Sequence, residues 1–152
     1  MKIEQPTRND YDELTDLWEA SVRATHDFLG EEDIRFFRPL VREQYLDAVS
    51  LYVVRNSKGR IVAFMGIDGE MLEMLFVHPE VRGKGLGTHL VTFAVHQKNV
   101  CKVDVNEQNR SASDFYKRMG FELIGRDETD AQGKPFPILH LYLKNGLSKL
   151  IV

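Results

Sequence analysis

The sequence predicts an α+β domain built on one central mixed, mostly antiparallel sheet of about seven strands, flanked by about four helices. Three observations predict it. Apolar runs of strand length pair around turn residues in the first half of the chain and again near its end. Between those hairpins an apolar run, a glycine-rich turn and an amphipathic stretch follow one another as strand, loop and helix. Ahead of the first hairpin lie two stretches with apolar residues spaced by three and four, the period of a helix with one buried face.

Taken in order, Lys2 to Gln5 reads as a short strand. Thr7 caps a helix and Asp10 sits in its first turn, where a negative charge meets the positive helix end. Leu14, Leu17, Trp18, Ser21, Val22 and Thr25 form its buried face, and it ends near Asp27 to Gly30. A second helical stretch covers Glu31 to Ala48, with Ile34, Phe37, Leu40, Val41 and Tyr45 facing inward. Pro39 must kink or split it, because proline removes a helix donor and crowds the preceding turn. Leu51 to Val54 and Arg60 to Ile67 are hairpin strands joined through Asn56-Ser57-Lys58-Gly59. Asp68-Gly69 turns the chain into the strand Met71 to Val77. A helix carrying Leu86, Leu90, Phe93 and Ala94 follows the glycine-rich turn, then a strand from Val100 to Val105. A helix beginning at Asn109 or Ser111 aligns Ala112, Phe115, Tyr116 and Met119 and ends at Gly120, where left-handed backbone suits glycine. Phe121 to Gly125 and Phe136 to Leu143 close the sheet. Residues 1–144 read as a single domain, and residues 145–152 as a partly apolar tail that packs on the body or on a second subunit.

Composition narrows the function classes. The chain has 152 residues, enough for one proper core, with 43% hydrophobic and 28% charged residues. The net charge of −3, with basic residues scattered among acidic ones, gives no case for nucleic acid or an anionic membrane. No apolar run approaches the ~18 residues of a membrane helix. A lone Cys101 cannot form an internal disulfide, and the opening Met1-Lys2-Ile3-Glu4 reads directly as folded sequence, so a cytoplasmic protein is expected. No His, Cys, Asp and Glu grouping has zinc-like spacing, so no metal is expected. His89 and His96 lie seven apart on one helix and are expected to be exposed.

The chemistry concentrates in Val77-His78-Pro79-Glu80-Val81-Arg82-Gly83-Lys84-Gly85-Leu86-Gly87-Thr88. Glycines at alternate positions let the backbone turn sharply and leave N–H groups unshielded. At a helix start those groups have no internal partner and the dipole is positive, so an anion is favoured. The ligand is therefore expected to carry phosphate. The Walker pattern requires Lys and then Ser or Thr after the last glycine, and here Thr88-His89 follows. The dinucleotide fingerprint fails as well, lacking its glycine spacing and its later acidic residue.

What Arg82-Gly83-Lys84-Gly85-Leu86-Gly87 does resemble is the acyl-CoA loop of the GCN5-related N-acetyltransferases, Arg/Gln-x-x-Gly-x-Gly/Ala. A second stretch is similar to that family's other cofactor-side segment: Val103-Asp104-Val105-Asn106 leading to a helix with Ala112, Phe115-Tyr116 and Gly120-Phe121. The element order agrees over essentially the whole chain. Ala24-Thr25-His26-Asp27-Phe28-Leu29 and Gly133-Lys134-Pro135-Phe136-Pro137 further resemble a small bacterial subgroup. The resemblance implies the acyl-CoA N-acyltransferase fold, acetyl-CoA as donor and an amine as acceptor. A small-molecule amine is the leading acceptor, a protein N-terminal or lysine amine the alternative, and a CoA-binding sensor without turnover the non-enzyme alternative. A monomer or a homodimer is implied.

By the same resemblance, acetyl-CoA lies between the strands Met71–Val77 and Val100–Val105, which splay apart. Leu75, Phe76 and Val77 serve it through main chain. Arg82, Gly83, Lys84, Gly85, Leu86, Gly87 and Thr88 serve the pyrophosphate, and Asn109, Ser111, Phe115 and Tyr116 complete the donor side. Tyr116 donates a hydrogen bond to the leaving thiolate, or else is only a core aromatic. Glu73 interrupts a continuous apolar run, where a carboxylate is costly without a partner or a task. It is either the general base or a solvated strand-end residue, and alternation places it on the face of Leu75 and Val77. His26 and Phe28, in the loop after the first helix, and His140 and Tyr142, on one strand face, are the candidate acceptor-binding residues. For His26 a loop-stabilising role stands beside that reading.

Overall fold

A computed structural model describes residues 1–144. The expected tail, residues 145–152, lies outside the described residues. The strands are β1 (Ile3–Glu4), β2 (Ser50–Arg55), β3 (Ile61–Asp68), β4 (Met71–Val77), β5 (Lys102–Asn106), β6 (Glu122–Asp127) and β7 (Ile138–Tyr142). The helices are α1 (Tyr11–Thr25), α2 (Glu31–Leu40), α3 (Leu86–Lys98) and α4 (Arg110–Arg118). Among the described residues one seven-stranded sheet runs β1-β2-β3-β4-β5-β7-β6, and only the β4–β5 pairing is parallel.

The sheet is covered on both faces, and the buried residues divide accordingly. On one face Leu14, Leu17, Trp18 and Val22 of α1 meet Leu51, Val53, Phe64 and Met74. On the other, Leu86, Leu90, Val91, Ala94 and Val95 of α3, with Tyr116 of α4, meet Val54, Met65, Leu72 and Val103. Central strand β3 is buried at Ile61 through Ile67, as a strand sandwiched between helices requires. Arg38 pairs with Asp16 and Glu19, and Arg42 with Asp12, so charged side chains tie α2 and the turn that follows it to α1. The second helical stretch is split just after Pro39, where regular α-helix ends at Leu40. Beyond Leu40 the helix widens into a π turn, Val41–Tyr45, with the Leu46 N–H donating to the Val41 carbonyl at 3.1 Å.

Two departures from regular pairing shape the centre of the sheet. The first is a β-bulge. Gly66 lies opposite Met74 but Ile67 opposite Leu72, so Glu73 is the extra residue of β4. The second is a splay. Strands β4 and β5 share only the pairs Met71–Lys102 and Leu72–Val103. Beyond them β4 stays with β3, β5 stays with β7, and a wedge opens between the two halves of the sheet.

Candidate active site

The wedge carries a trough on one side and a cleft on the other, and they meet at His26 and Phe76, which line both. The trough, about 510 Å³, is walled by Leu75, Phe76 and Val77 of β4, by the glycine-rich loop and by the start of α4. Gly83 and Gly85 adopt φ of 79° and 84°, left-handed values that favour glycine, and Gly85 is the residue from which α3 springs. An added Cβ at Gly83 or Gly85 would meet nothing within 4 Å; at Gly87 it would come within 3.5 Å of Phe115, an ordinary contact. The loop is thus a cradle with room above its backbone, at the positive end of a helix. Arg82 reaches across it to the Ser111 hydroxyl at 3.4 Å. Of the residues expected on the donor side, all but Lys84 line this trough; Lys84 is exposed.

Tyr116 is buried between Phe115 and Phe121, with ring centroids 5.1 and 5.8 Å away. Its hydroxyl has no hydrogen-bond partner among the described residues. Burial pushes the phenol far above its ordinary value, so it remains a neutral O–H donor.

The cleft on the other side is about 790 Å³ and acidic. Asp68, Glu73, Asp104, Asp127, Glu128 and Asp130 line it, with no Lys or Arg of the described residues in its walls. Here the structure corrects the sequence reading of Glu73. The bulge breaks strand alternation, so Glu73 joins Met74 and Phe76 on the cleft side and not Leu75 and Val77 on the trough side. Glu73 stays exposed at the edge of the cleft, but the surrounding walls strip part of its water, and that loss, then Asp104 and Asp68, raises its carboxyl above the ordinary value. His140 is clamped by Asp104 at 2.7 Å and Asp127 at 3.0 Å, and those carboxylates raise its pKa. The hydroxyl of Tyr45 accepts from Gln132 at 2.8 Å, so the β6–β7 loop leans over the cleft onto the π turn.

Other expectations fall differently. Phe28 is not in the cleft wall; it packs behind it, against His26 and Phe136 at 5.2 and 5.7 Å. Tyr142 sits at the closed end of the wedge opposite Lys102, outside the lining. His89 and His96 are only partly exposed. His89 Nε2 lies 2.9 Å from the Met1 carbonyl, and His96 Nε2 is buried without a hydrogen-bond partner among the described residues. Sequence reasoning missed Asp104 and Asp127, although the alternation of Val103-Asp104-Val105 was a usable signal for a carboxylate on the open face. Among the described residues no helix is long and apolar enough to cross a membrane.

A sheet split beside a glycine-cradled helix start, with an aromatic hydroxyl at the split, defines an acyl-CoA-dependent acyltransferase. A family model for the acetyltransferase (GNAT) domain matches residues 47–123. The chain is 40% identical over 141 residues to the peptidyl-lysine N-acetyltransferase YjaB of Escherichia coli (strain K12), spanning 93% of this chain and 95% of that one. It is 38% identical to the enzyme of the same name from Salmonella typhimurium, spanning 93% and 97%. The solution structure of apo-form YjaB from Escherichia coli superimposes with a TM-score of 0.86 at 39% identity, covering 94% of this chain and 97% of that chain. This chain belongs to the GCN5-related N-acetyltransferase family; it is an acetyltransferase that uses acetyl-CoA.

Proposed function

We propose that the chain transfers the acetyl group to the ε-amine of a lysine in a protein or peptide. The observation that carries this is the acidic cleft. Six carboxylates line the opening onto the junction with the donor trough; Asp104 and Asp127 hold His140 between them, and no Lys or Arg among the described residues joins the others, so the surface is complementary to a cationic side chain presented on a larger body. An enclosed small-amine pocket would be walled off; here Asp68, Glu73, Asp127 and Glu128 are all exposed. The naming of the relatives as peptidyl-lysine N-acetyltransferases supports the same acceptor.

Bound acetyl-CoA supplies the activated thioester. The N–H groups from Gly83 to Gly87 would hold its pyrophosphate, and the bare edge of β4 at Leu75 to Val77 would pair with its pantetheine amides. A main-chain N–H there would also serve the charge that develops on the acyl oxygen. A lysine amine of pKa ~10.4 is charged at neutral pH, so freeing its lone pair costs about 5 kcal/mol at pH 7. Glu73, held in the cleft with a raised carboxyl pKa, receives that proton directly or through water. Tyr116 donates to the departing sulfur. With ordinary values of ~10 for Tyr and ~8.5 for a thiol, full transfer is uphill by roughly 2 kcal/mol. Burial of Tyr116 adds to that, so it acts as a hydrogen-bond donor while sulfur leaves.

The test is thiol release followed by mass spectrometry on a panel of lysine peptides with blocked α-amines, unblocked peptides lacking lysine, and small diamines. Acetylation of the lysine ε-amine in blocked peptides is the expected result. Turnover confined to small diamines or to α-amines would overturn the proposal.

A further inference from the structure

His26 stands where trough and cleft meet, at the C-terminal end of α1, and its hydrogen bonds fix its tautomer. The Thr25 hydroxyl donates to the Ser21 carbonyl at 2.8 Å, so its proton is committed. Its oxygen lies 2.7 Å from His26 Nδ1 and must therefore accept from an Nδ1–H. Nε2 then carries a lone pair. The Asn109 amide approaches it at 3.4 Å, and that amide's orientation is fixed in turn, because its oxygen accepts from the Ala112 N–H at 3.2 Å as the cap of α4. An NH₂ group facing Nε2 opposes protonation there, and so does burial, which lowers the imidazole pKa to about 4. A neutral acceptor atom, held by α1 and α4 together, is thus presented at the junction. The contact from Asn109 is long, and a closer donor can share that lone pair.

We infer that His26 Nε2 accepts a hydrogen bond from the attacking amine and so orients its lone pair toward the donor trough. Glu73 takes the proton; His26 sets the direction of approach. This rests on the reading that the acceptor amine arrives through the acidic cleft.

Two amide replacements separate this role from loop support. In His26→Gln the amide oxygen reaches the place of Nε2; in His26→Asn it reaches only that of Nδ1, beside Thr25. With lysine peptides as acceptors, His26→Asn is expected to raise the acceptor KM or lower kcat by about tenfold, the scale of one lost neutral hydrogen bond. His26→Gln should stay within about threefold of wild type, and the KM for acetyl-CoA should hold in both. Retained activity in His26→Asn with loss in His26→Gln would assign His26 to the loop and overturn the inference. Equal losses in both, or a change confined to acetyl-CoA, would overturn it as well. Thr25→Val, which releases the tautomer lock without touching the ring, is expected to shift the same acceptor parameter in the same direction; an unchanged value would count against the inference. Failure of the wild-type protein to acetylate any peptide is a separate result: it refutes the acceptor reading itself, and this inference with it.

Discussion

Glu73 owes its place to one extra residue in β4. Its chemical oddity was legible in Met71-Leu72-Glu73-Met74-Leu75-Phe76-Val77, since a carboxylate inside an apolar run demands a reason. Its direction was not legible. Alternation assumes unbroken pairing, and the bulge is a property of β4 against β3, invisible in either strand alone. Tyr116 shows the opposite case: its helix position alone placed it toward the core, and it is buried there. The raised carboxyl pKa of Glu73 makes a two-sided prediction. Its folded value lies above the unfolded one, so the ionised form weakens the fold at pH above both values, and the penalty vanishes below the unfolded value near 4.5. Glu73→Gln should therefore raise Tm at pH 7 and leave it unchanged near pH 4. The same variant should lower kcat about a hundredfold and lose the acidic limb of the pH–kcat profile. Wild-type kcat together with a retained limb would remove Glu73 from the base role.

At the scale of elements, the sequence pattern found the four α-helices and seven strands of the described residues but not the short 3-10 turns at Arg8–Asp10 and Pro79–Val81, and the errors sit where local hydrogen bonds override periodicity. A strand was expected from Val100, but β5 begins at Lys102. Asn99 takes a left-handed φ of 57°, and Val100 donates back to the Ala94 carbonyl, so Val100 still belongs to the end of α3. Cys101 and Lys102 then both donate to the Glu70 carbonyl, which fixes where β5 starts. The glycine loop was legible because its demand for glycine is conformational. Its three glycines are not equivalent, however. Gly85→Ala imposes left-handed strain of about 1–2 kcal/mol and should lower both Tm and acetyl-CoA affinity. Gly87 has no positive φ, and a Cβ there meets Phe115 at an ordinary distance. Gly87→Ala should keep Tm within a degree or two while weakening acetyl-CoA binding, measured by isothermal titration. Unchanged affinity in Gly87→Ala would mean the ligand does not approach that backbone.

The whole molecule is two half-sheets joined at a narrow throat, Met71–Lys102 and Leu72–Val103. A ligand that pairs with the bare edge of β4 adds hydrogen bonds where the throat has too few. At a hundredfold excess over Kd, binding stabilises the fold by about 2.7 kcal/mol, and Tm should rise by about 5–10 °C. Hydrogen exchange locates the gain. Amide exchange is expected to slow at Leu75 to Val77 as well as along the glycine loop; slowing restricted to the loop would mean that the phosphates alone anchor the donor. The splay itself was inferred from kinship and not from residue pattern, since each strand bordering it looks, taken singly, like any other interior strand.

That wedge also bears on how the protein keeps to itself. A strand edge without a partner is a template on which foreign chains can grow, and most proteins blunt such margins with charge or proline. Here two bare edges face each other inside the fold and converge on a closed rung at Met71 and Lys102. An intruding strand cannot lie along an open border; it would have to thread a gap that narrows to hydrogen-bonding width, between walls of α3 and α4. The opening that would admit a slender acyl chain thus withholds these two edges from strand-by-strand growth.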